Sequence, residues 1–237
     1  MRELIAHRGW SGKAPENTLS AIKLALEEPN IDCIEIDVHL TRDGIPVVIH
    51  DYKVDRTTDG SGYVKDMTAA DIKALDAGSW FKPAFTGEKV PLLEEVLALT
   101  GGRKKLLIEL KQAAGMYEGL EERVIELIRK FGVEAQCSLI SFDHKSLLAC
   151  MKFSPIVKRT LVISGSPLLL IDQVNEIGAS AVSMNHHFVD QEMVASLNSN
   201  GIGIVVWTVD QKAEAERVLE LDGAIALTTN HPERLWV

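Results

Sequence analysis

Basic residues, cysteines and long apolar runs are all scarce in this chain. Of its 237 residues, 25 are Lys or Arg against 34 Asp or Glu, a formal net charge of −9. That sign is wrong for a protein that tracks a nucleic-acid backbone or an anionic membrane surface, so neither is an expected partner. An anionic ligand must instead meet local cations or a metal. The 3 cysteines, Cys33, Cys137 and Cys150, are odd in number and far apart, which excludes a disulfide framework and a paired-cysteine metal site. No apolar run approaches the ~20 residues that a membrane span requires. After one basic residue the N-terminus passes straight into strand-like sequence with no apolar signal core, so a cytoplasmic location is expected. With 8 Pro, 17 Gly, 46% hydrophobic and 25% charged residues, disordered and collagen-like chains are excluded. At this length one α/β barrel spanning residues 1–237 is expected rather than two small domains.

What the chain does have is alternation. Short β-branched runs at Leu4–His7, Ile34–His39, Leu106–Leu110, Cys137–Ser141, Lys158–Ile163, Ala181–Met184, Gly203–Val209 and Ala224–Leu227 read as strands. Helical patterns lie between them, at Thr18–Glu27, Tyr117–Phe131, His144–Lys152, Leu168–Ile177, Gln191–Asn198 and Lys212–Leu221. Eight βα units predict an α/β fold of the (β/α)8, or TIM, barrel type. A doubly wound open sheet is the alternative, since periodicity alone does not show closure.

One run breaks the rhythm. Pro46–His50 follows the second strand after too few residues for a parallel crossover, so it must return antiparallel as a hairpin. With Asp43 and Gly44 as a two-residue turn, the register places Asp37 opposite His50. From about 51 to 91 the chain is turn-rich, which predicts an insertion over the C-terminal mouth of the barrel.

In the second strand Glu35, Asp37 and His39 alternate with Ile34, Ile36 and Val38, and Glu109 and Lys111 repeat the pattern in the next. The polar set points into the barrel. Three inward acids, Glu35, Asp37 and Glu109, make an all-oxygen site suited to Mg²⁺ or Ca²⁺ and poorly suited to zinc. The alternative is an internal salt-bridge net with Arg8 and Lys111. His7 and His50 end strands at the same mouth, as an acid/base pair would, and Arg8 and Lys111 supply charge for a phosphate. The other histidines, His39, His144, His186, His187 and His231, read as ordinary core or surface residues.

These motifs, in order, are specific. His7-Arg8-Gly9, Pro15-Glu16-Asn17-Thr18, Glu35-Ile36-Asp37-Val38, Thr41-x-Asp43-Gly44-x-Pro46-Val47-Val48-x-His50-Asp51, Arg56-Thr57-Thr58, Leu75-Asp76-Ala77-Gly78, Ile108-Glu109-x-Lys111, Ser141-Phe142-Asp143 and Trp207-Thr208-Val209 resemble the glycerophosphodiester phosphodiesterase family of the bacterial cytosolic type. The resemblance spans nearly the whole chain. It implies hydrolysis of glycerophosphodiesters to glycerol 3-phosphate and an alcohol with a divalent cation. It assigns the metal to Glu35, Asp37 and Glu109, catalysis to His7 and His50, and the phosphate to Arg8 and Lys111. Asn17 and Trp207 would border the pocket, their ordinary alternatives being a helix cap and a core aromatic. The chain departs from the family pattern in two places: Asp210 stands where the family has Asn, and the Asp222-Gly223 pair lies three residues further from Pro232 than usual. Two other functions compete, an inactive phosphodiester-binding relative and a phospholipase C/D-like enzyme acting on lysolipids. The second would want an apolar rim, for which Tyr52, Trp80, Phe81 and Phe85 are the candidates.

Overall fold

Nine strands carry the architecture in the computed structural model, which describes residues 3–236. They are β1 (Leu4–Ala6), β2 (Cys33–Leu40), β3 (Pro46–Val48), β4 (Lys105–Leu110), β5 (Cys137–Ser141), β6 (Lys158–Ile163), β7 (Ala181–Asn185), β8 (Gly203–Trp207) and β9 (Ala226–Thr229). All but β3 run parallel. β1 pairs with β2 at Ile5–Cys33 and with β9 at Ile5–Thr228, so the sheet closes into a barrel and the open-sheet alternative falls.

The strand alternation sorts side chains as the sequence implies. Ile34, Ile36 and Val38 join the large outer core beneath the helices, where each fully buried aliphatic contributes roughly 1.5–3 kcal/mol. Inside the barrel a smaller cluster, Ile5, Cys33, Leu107, Ile140, Val162, Val205 and Ala226, forms a plug. Helices α1 (Leu19–Glu27), α2 (Ala69–Ala74), α3 (Leu93–Thr100), α4 (Leu120–Lys130), α5 (His144–Phe153), α6 (Leu170–Glu176), α7 (Gln191–Ser199) and α8 (Lys212–Leu221) complete the fold. α4 illustrates why they form: Leu120, Val124, Ile125 and Ile128 make one buried stripe, with Glu121 and Glu122 in the first turn and Arg129 and Lys130 in the last.

The hairpin differs from expectation by one residue. β2 pairs with β3 at Leu40–Pro46, His39–Val47 and Val38–Val48, and Ile49 N donates to Asp37 O, so Asp37 faces Ile49 and not His50. The turn holds an extra residue because Thr41 Oγ1 donates to Asp43 Oδ1 and accepts from Ile45 N, while Gly44 takes a left-handed φ of 76°. His50 therefore lies past the ladder, where its carbonyl accepts from His39 Nε2 at 2.9 Å. The last strand also starts two residues later than expected. Asp222 Oδ1 accepts from Ala224 N and its carbonyl from Ile225 N, which spends those residues on a turn and carries Thr228 and Thr229 into the barrel wall.

The inserted segment packs Val54, Val64, Ile72, Ala77 and Val90 against Val47 and Ile49 of the returning hairpin arm, in a cluster separate from the main core. Trp80, Phe81 and Phe85 meet edge-on within the segment at centroid distances of 5.7 Å.

At the end of β1, Gly9 takes φ 75°, and a Cβ there would lie 2.7 Å from the backbone carbon of Ala21 in α1. Gly9→Ala should cost about 2 kcal/mol or more, read as a lowered urea midpoint with an unchanged slope. An unchanged midpoint would show that α1 is free to move away.

Candidate active site

Parallel register builds the centre of the mouth. Asp37 on β2 pairs with Glu109 on β4, and Glu35 lies two residues earlier on the same face of β2. One oxygen from each of these three buried carboxylates lies within 4.8 Å of the others. Two cations reach them. Lys111 Nζ is 2.7 Å from Glu109 Oε1 and 2.9 Å from Asp37 Oδ1, and Arg8 Nε is 3.3 Å from Asp37 Oδ2. The salt-bridge net foreseen as an alternative is thus present, but it is incomplete. Arg8 also pairs with Glu16 at 2.8 Å, and Glu35 Oε1 is buried without a hydrogen-bond partner. Asp37 Oδ1 likewise has no well-directed hydrogen bond despite the nearby ammonium.

The electrostatics follow from that shortfall. Burial, together with the charges of Asp37 and Glu109, pushes the Glu35 carboxyl well above its ordinary range. Burial raises Glu109 too, with Lys111 opposing. Burial works against ionised Asp37, yet Lys111 and Arg8 outweigh it and hold this acid below the usual range. For Lys111 burial is likewise overcome by Asp37 and Glu109, which hold the ammonium charged. An orphaned acid oxygen beside two carboxyls reluctant to ionise fits a hard divalent cation held by Glu35, Asp37 and Glu109.

His7 and His50 both line the pocket above the acids, with Arg8, Lys111 and Trp207. Leu107, Ile140 and Val162 of the inner plug are its floor. Burial, aided by Arg8, lowers His7 to about 4. Burial also lowers His50, with Asp37 pulling the other way and Lys111 and Arg8 adding to the drop. Each imidazole is anchored through Nδ1, His7 to Asn230 Oδ1 at 2.8 Å and His50 to Asp51 Oδ1 at 2.6 Å. His7 Nε2 is 3.9 Å from Glu35 Oε2.

Asn17 does not cap α1. Thr18 does, its hydroxyl accepting from Ala21 N, while Asn17 donates from Nδ2 to Asp37 Oδ2 at 2.7 Å and accepts from Asp37 N at 3.2 Å. Trp207 borders the pocket and meets Phe142 edge-on at 5.7 Å. His39 is a core residue as expected, yet its ring links Tyr117 OH to the His50 carbonyl.

Four supporting residues had no role assigned from sequence. Arg56 donates to both oxygens of Asp51 and both of Glu16, so one guanidinium ties the His50 anchor to the Arg8 anchor. Asn230 anchors His7 across 223 residues of sequence. Asp51 and Arg56 stand inside motifs quoted above, and adjacency to His50 was the available signal for Asp51. For Asn230 the signal was its place, two residues before Pro232, in the closing motif of the family pattern.

A closed parallel barrel with an acidic centre, two cations and two anchored imidazoles at its mouth defines an enzyme of the TIM-barrel class equipped for phosphate-ester chemistry. The chain belongs to the glycerophosphoryl diester phosphodiesterase family, whose sequence profile matches residues 7–234. A glycerophosphodiester phosphodiesterase of Caldanaerobacter subterraneus subsp. tengcongensis is 40% identical over 233 residues, covering 98% of this chain and 95% of the relative. One from Bacillus subtilis is 36% identical, covering 97% and 83%. A phosphodiesterase of Oleispira antarctica, solved in complex with the product sn-glycerol-3-phosphate, superposes with a TM-score of 0.94 at 29% identity, covering 99% of this chain and 95% of that one. Among the described residues no helix is long and apolar enough to cross a membrane.

The raised carboxyls make cation binding pH-linked. Groups raised in the fold favour the cation-free protein at low pH and oppose it as pH rises through their shifted values, and a bound cation must expel their protons. At a concentration about 100 times the Kd at pH 8, Mg²⁺ or Ca²⁺ should add ~2.7 kcal/mol, raising Tm by roughly 5–10 °C, and the same concentration should raise it less at pH 6. Calorimetry with and without EDTA checks this, and Glu35→Gln should shrink both the shift and its pH dependence. A Tm indifferent to the cation would overturn the site.

Proposed function

We propose that the protein hydrolyses glycerophosphodiesters to glycerol 3-phosphate and an alcohol, using His7 and His50 as the acid/base pair. The observation that carries this reading is the pair of imidazoles, each fixed through Nδ1 and each lining one pocket with the uncompensated acids. The product held by the Oleispira antarctica relative supports the choice of substrate class. Glu35, Asp37 and Glu109 are assigned to a divalent cation, Mg²⁺ or Ca²⁺. Bound there, it would neutralise the surplus carboxylates and stabilise negative charge developing on phosphate oxygens.

Arg8 and Lys111 orient the phosphate, and Asn17 keeps Asp37 in place through a two-point hydrogen bond. His7, neutral and anchored by an uncharged amide, takes the proton from the attacking oxygen through Nε2. His50 gives a proton to the alcohol oxygen as its bond to phosphorus breaks, and Asp51, accepting from Nδ1, offsets part of the burial that disfavours the charged ring. Trp207 contributes an apolar wall beside the substrate. For the lysolipid reading, Trp80, Phe81 and Phe85 pack edge-on within the insertion, while Tyr52 and Trp80 keep exposed surface.

Phosphorus NMR of turnover on glycerophosphoethanolamine, in EDTA and then with Mg²⁺ or Ca²⁺, reads product and metal requirement together. Glycerol 3-phosphate should appear only with the cation, and full turnover in chelator would refute the metal assignment. Glu109→Gln should cut turnover by about 100-fold or more while the fold survives. A p-nitrophenyl ester reduces the need for an acid, so it should rescue His50→Ala at least ~10-fold more than His7→Ala. Equal rescue would mean the two rings do not divide the work, and stronger rescue of His7→Ala would reverse the assignment.

A further inference from the structure

Asp210, in the loop after β8, does not line the pocket, yet it decides which end of an amide faces a pocket residue. Its Oδ2 accepts from Asn230 Nδ2 at 2.8 Å, and its Oδ1 accepts from Asn230 N at 2.8 Å and from Thr229 Oγ1 at 3.0 Å. The amide oxygen of Asn230 is thereby turned the other way, onto His7 Nδ1 at 2.8 Å, with Ser11 Oγ also donating to it at 2.8 Å. We infer that Asp210 is a positioning residue: through Asn230 it holds His7 in the Nδ1–H tautomer, so that the Nε2 lone pair faces the pocket.

The argument rests on donor and acceptor inventories. A carboxylate only accepts, so the amide nitrogen of Asn230 must be the end that faces Asp210. Turning the amide over would set its oxygen against a carboxylate oxygen and its NH2 against His7 Nδ1. The ring would then have to accept at Nδ1 and carry its proton on Nε2, which leaves no lone pair for an attacking oxygen. Asp210 is held ionised below its usual range: burial opposes this, and the hydrogen bonds from Asn230 outweigh it. The departure at position 210 therefore places a fixed negative charge one amide away from the imidazole. The inference rests on His7 being the base.

The test substitutes the acceptor and keeps the shape. In Asp210→Asn the side-chain oxygen can still receive Asn230 N and Thr229 Oγ1, but its NH2 then meets the NH2 of Asn230. The Asn230 amide should flip. In Mg²⁺-loaded enzyme, long-range proton–nitrogen NMR identifies the His7 ring by its absence in His7→Gln. The wild-type ring should carry its proton on Nδ1 and Asp210→Asn should move it to Nε2, with kcat down about 10–100-fold and KM within ~3-fold. The double variant D210N/N230D restores an acceptor toward both neighbours, and should return the tautomer and bring kcat to within ~5-fold of wild type. An unmoved tautomer in Asp210→Asn would overturn the inference. So would a double variant that stays inactive with a lowered Tm, since Asp210 would then be a brace for the loop alone. A moved tautomer with kcat intact would leave the hydrogen-bond relay standing and remove His7 as the base, which His7→Ala would show independently by keeping its turnover.

Discussion

Three carboxylates buried side by side are the constraint around which this molecule is arranged. Like charges in a low-dielectric interior cannot all ionise without partners, and the chain supplies two cations where more charge is needed. Much of the local structure follows from that imbalance. Arg8 takes a left-handed backbone so that its N–H can reach Glu35 Oε2, and Asn17 takes another so that its amide can clasp Asp37 from both sides. The strain is tolerable because each contact satisfies an acid that would otherwise be costly to bury. What is left over, one bare oxygen on Glu35, is where the site asks for something the chain does not itself contain.

Much of this was legible in the sequence because side chains in strands alternate with a period of two. Glu35 and Asp37 had to share a face, and Glu109 and Lys111 had to share one, whatever the fold around them. Strand alignment was less visible. That Asp37 stands beside Glu109 depends on the shear of the closed barrel, and that Asp37 faces Ile49 depends on a side-chain lock between Thr41 and Asp43 that a turn dipeptide does not announce. The anchors were less visible still. Asn230 reaches His7 only because β9 closes against β1, a contact that exists in three dimensions alone.

The two imidazoles resemble each other in outline and differ in support. His7 is held from the barrel wall itself, through Asn230 at the end of β9. His50 is held from the inserted segment, through Asp51 and the Arg56 guanidinium, with its backbone steadied by His39. One ring therefore belongs to the rigid frame and the other to an appendage.

That difference in ownership has an energetic consequence. The appendage contributes five buried apolar residues to a small cluster of seven, far fewer than the main core holds, and segments with small separate cores open at lower free energy than the body to which they are attached. Opening of this segment would release the Arg56 clasp between Asp51 and Glu16, whereas the carboxylate cluster and His7 are carried by the barrel strands and their ends. Amide exchange should accordingly run on two clocks, slow in the barrel strands and faster across residues 51–91. On the faster clock the mouth would keep its acids, its two cations and the His7 ring while the support of the His50 ring comes and goes.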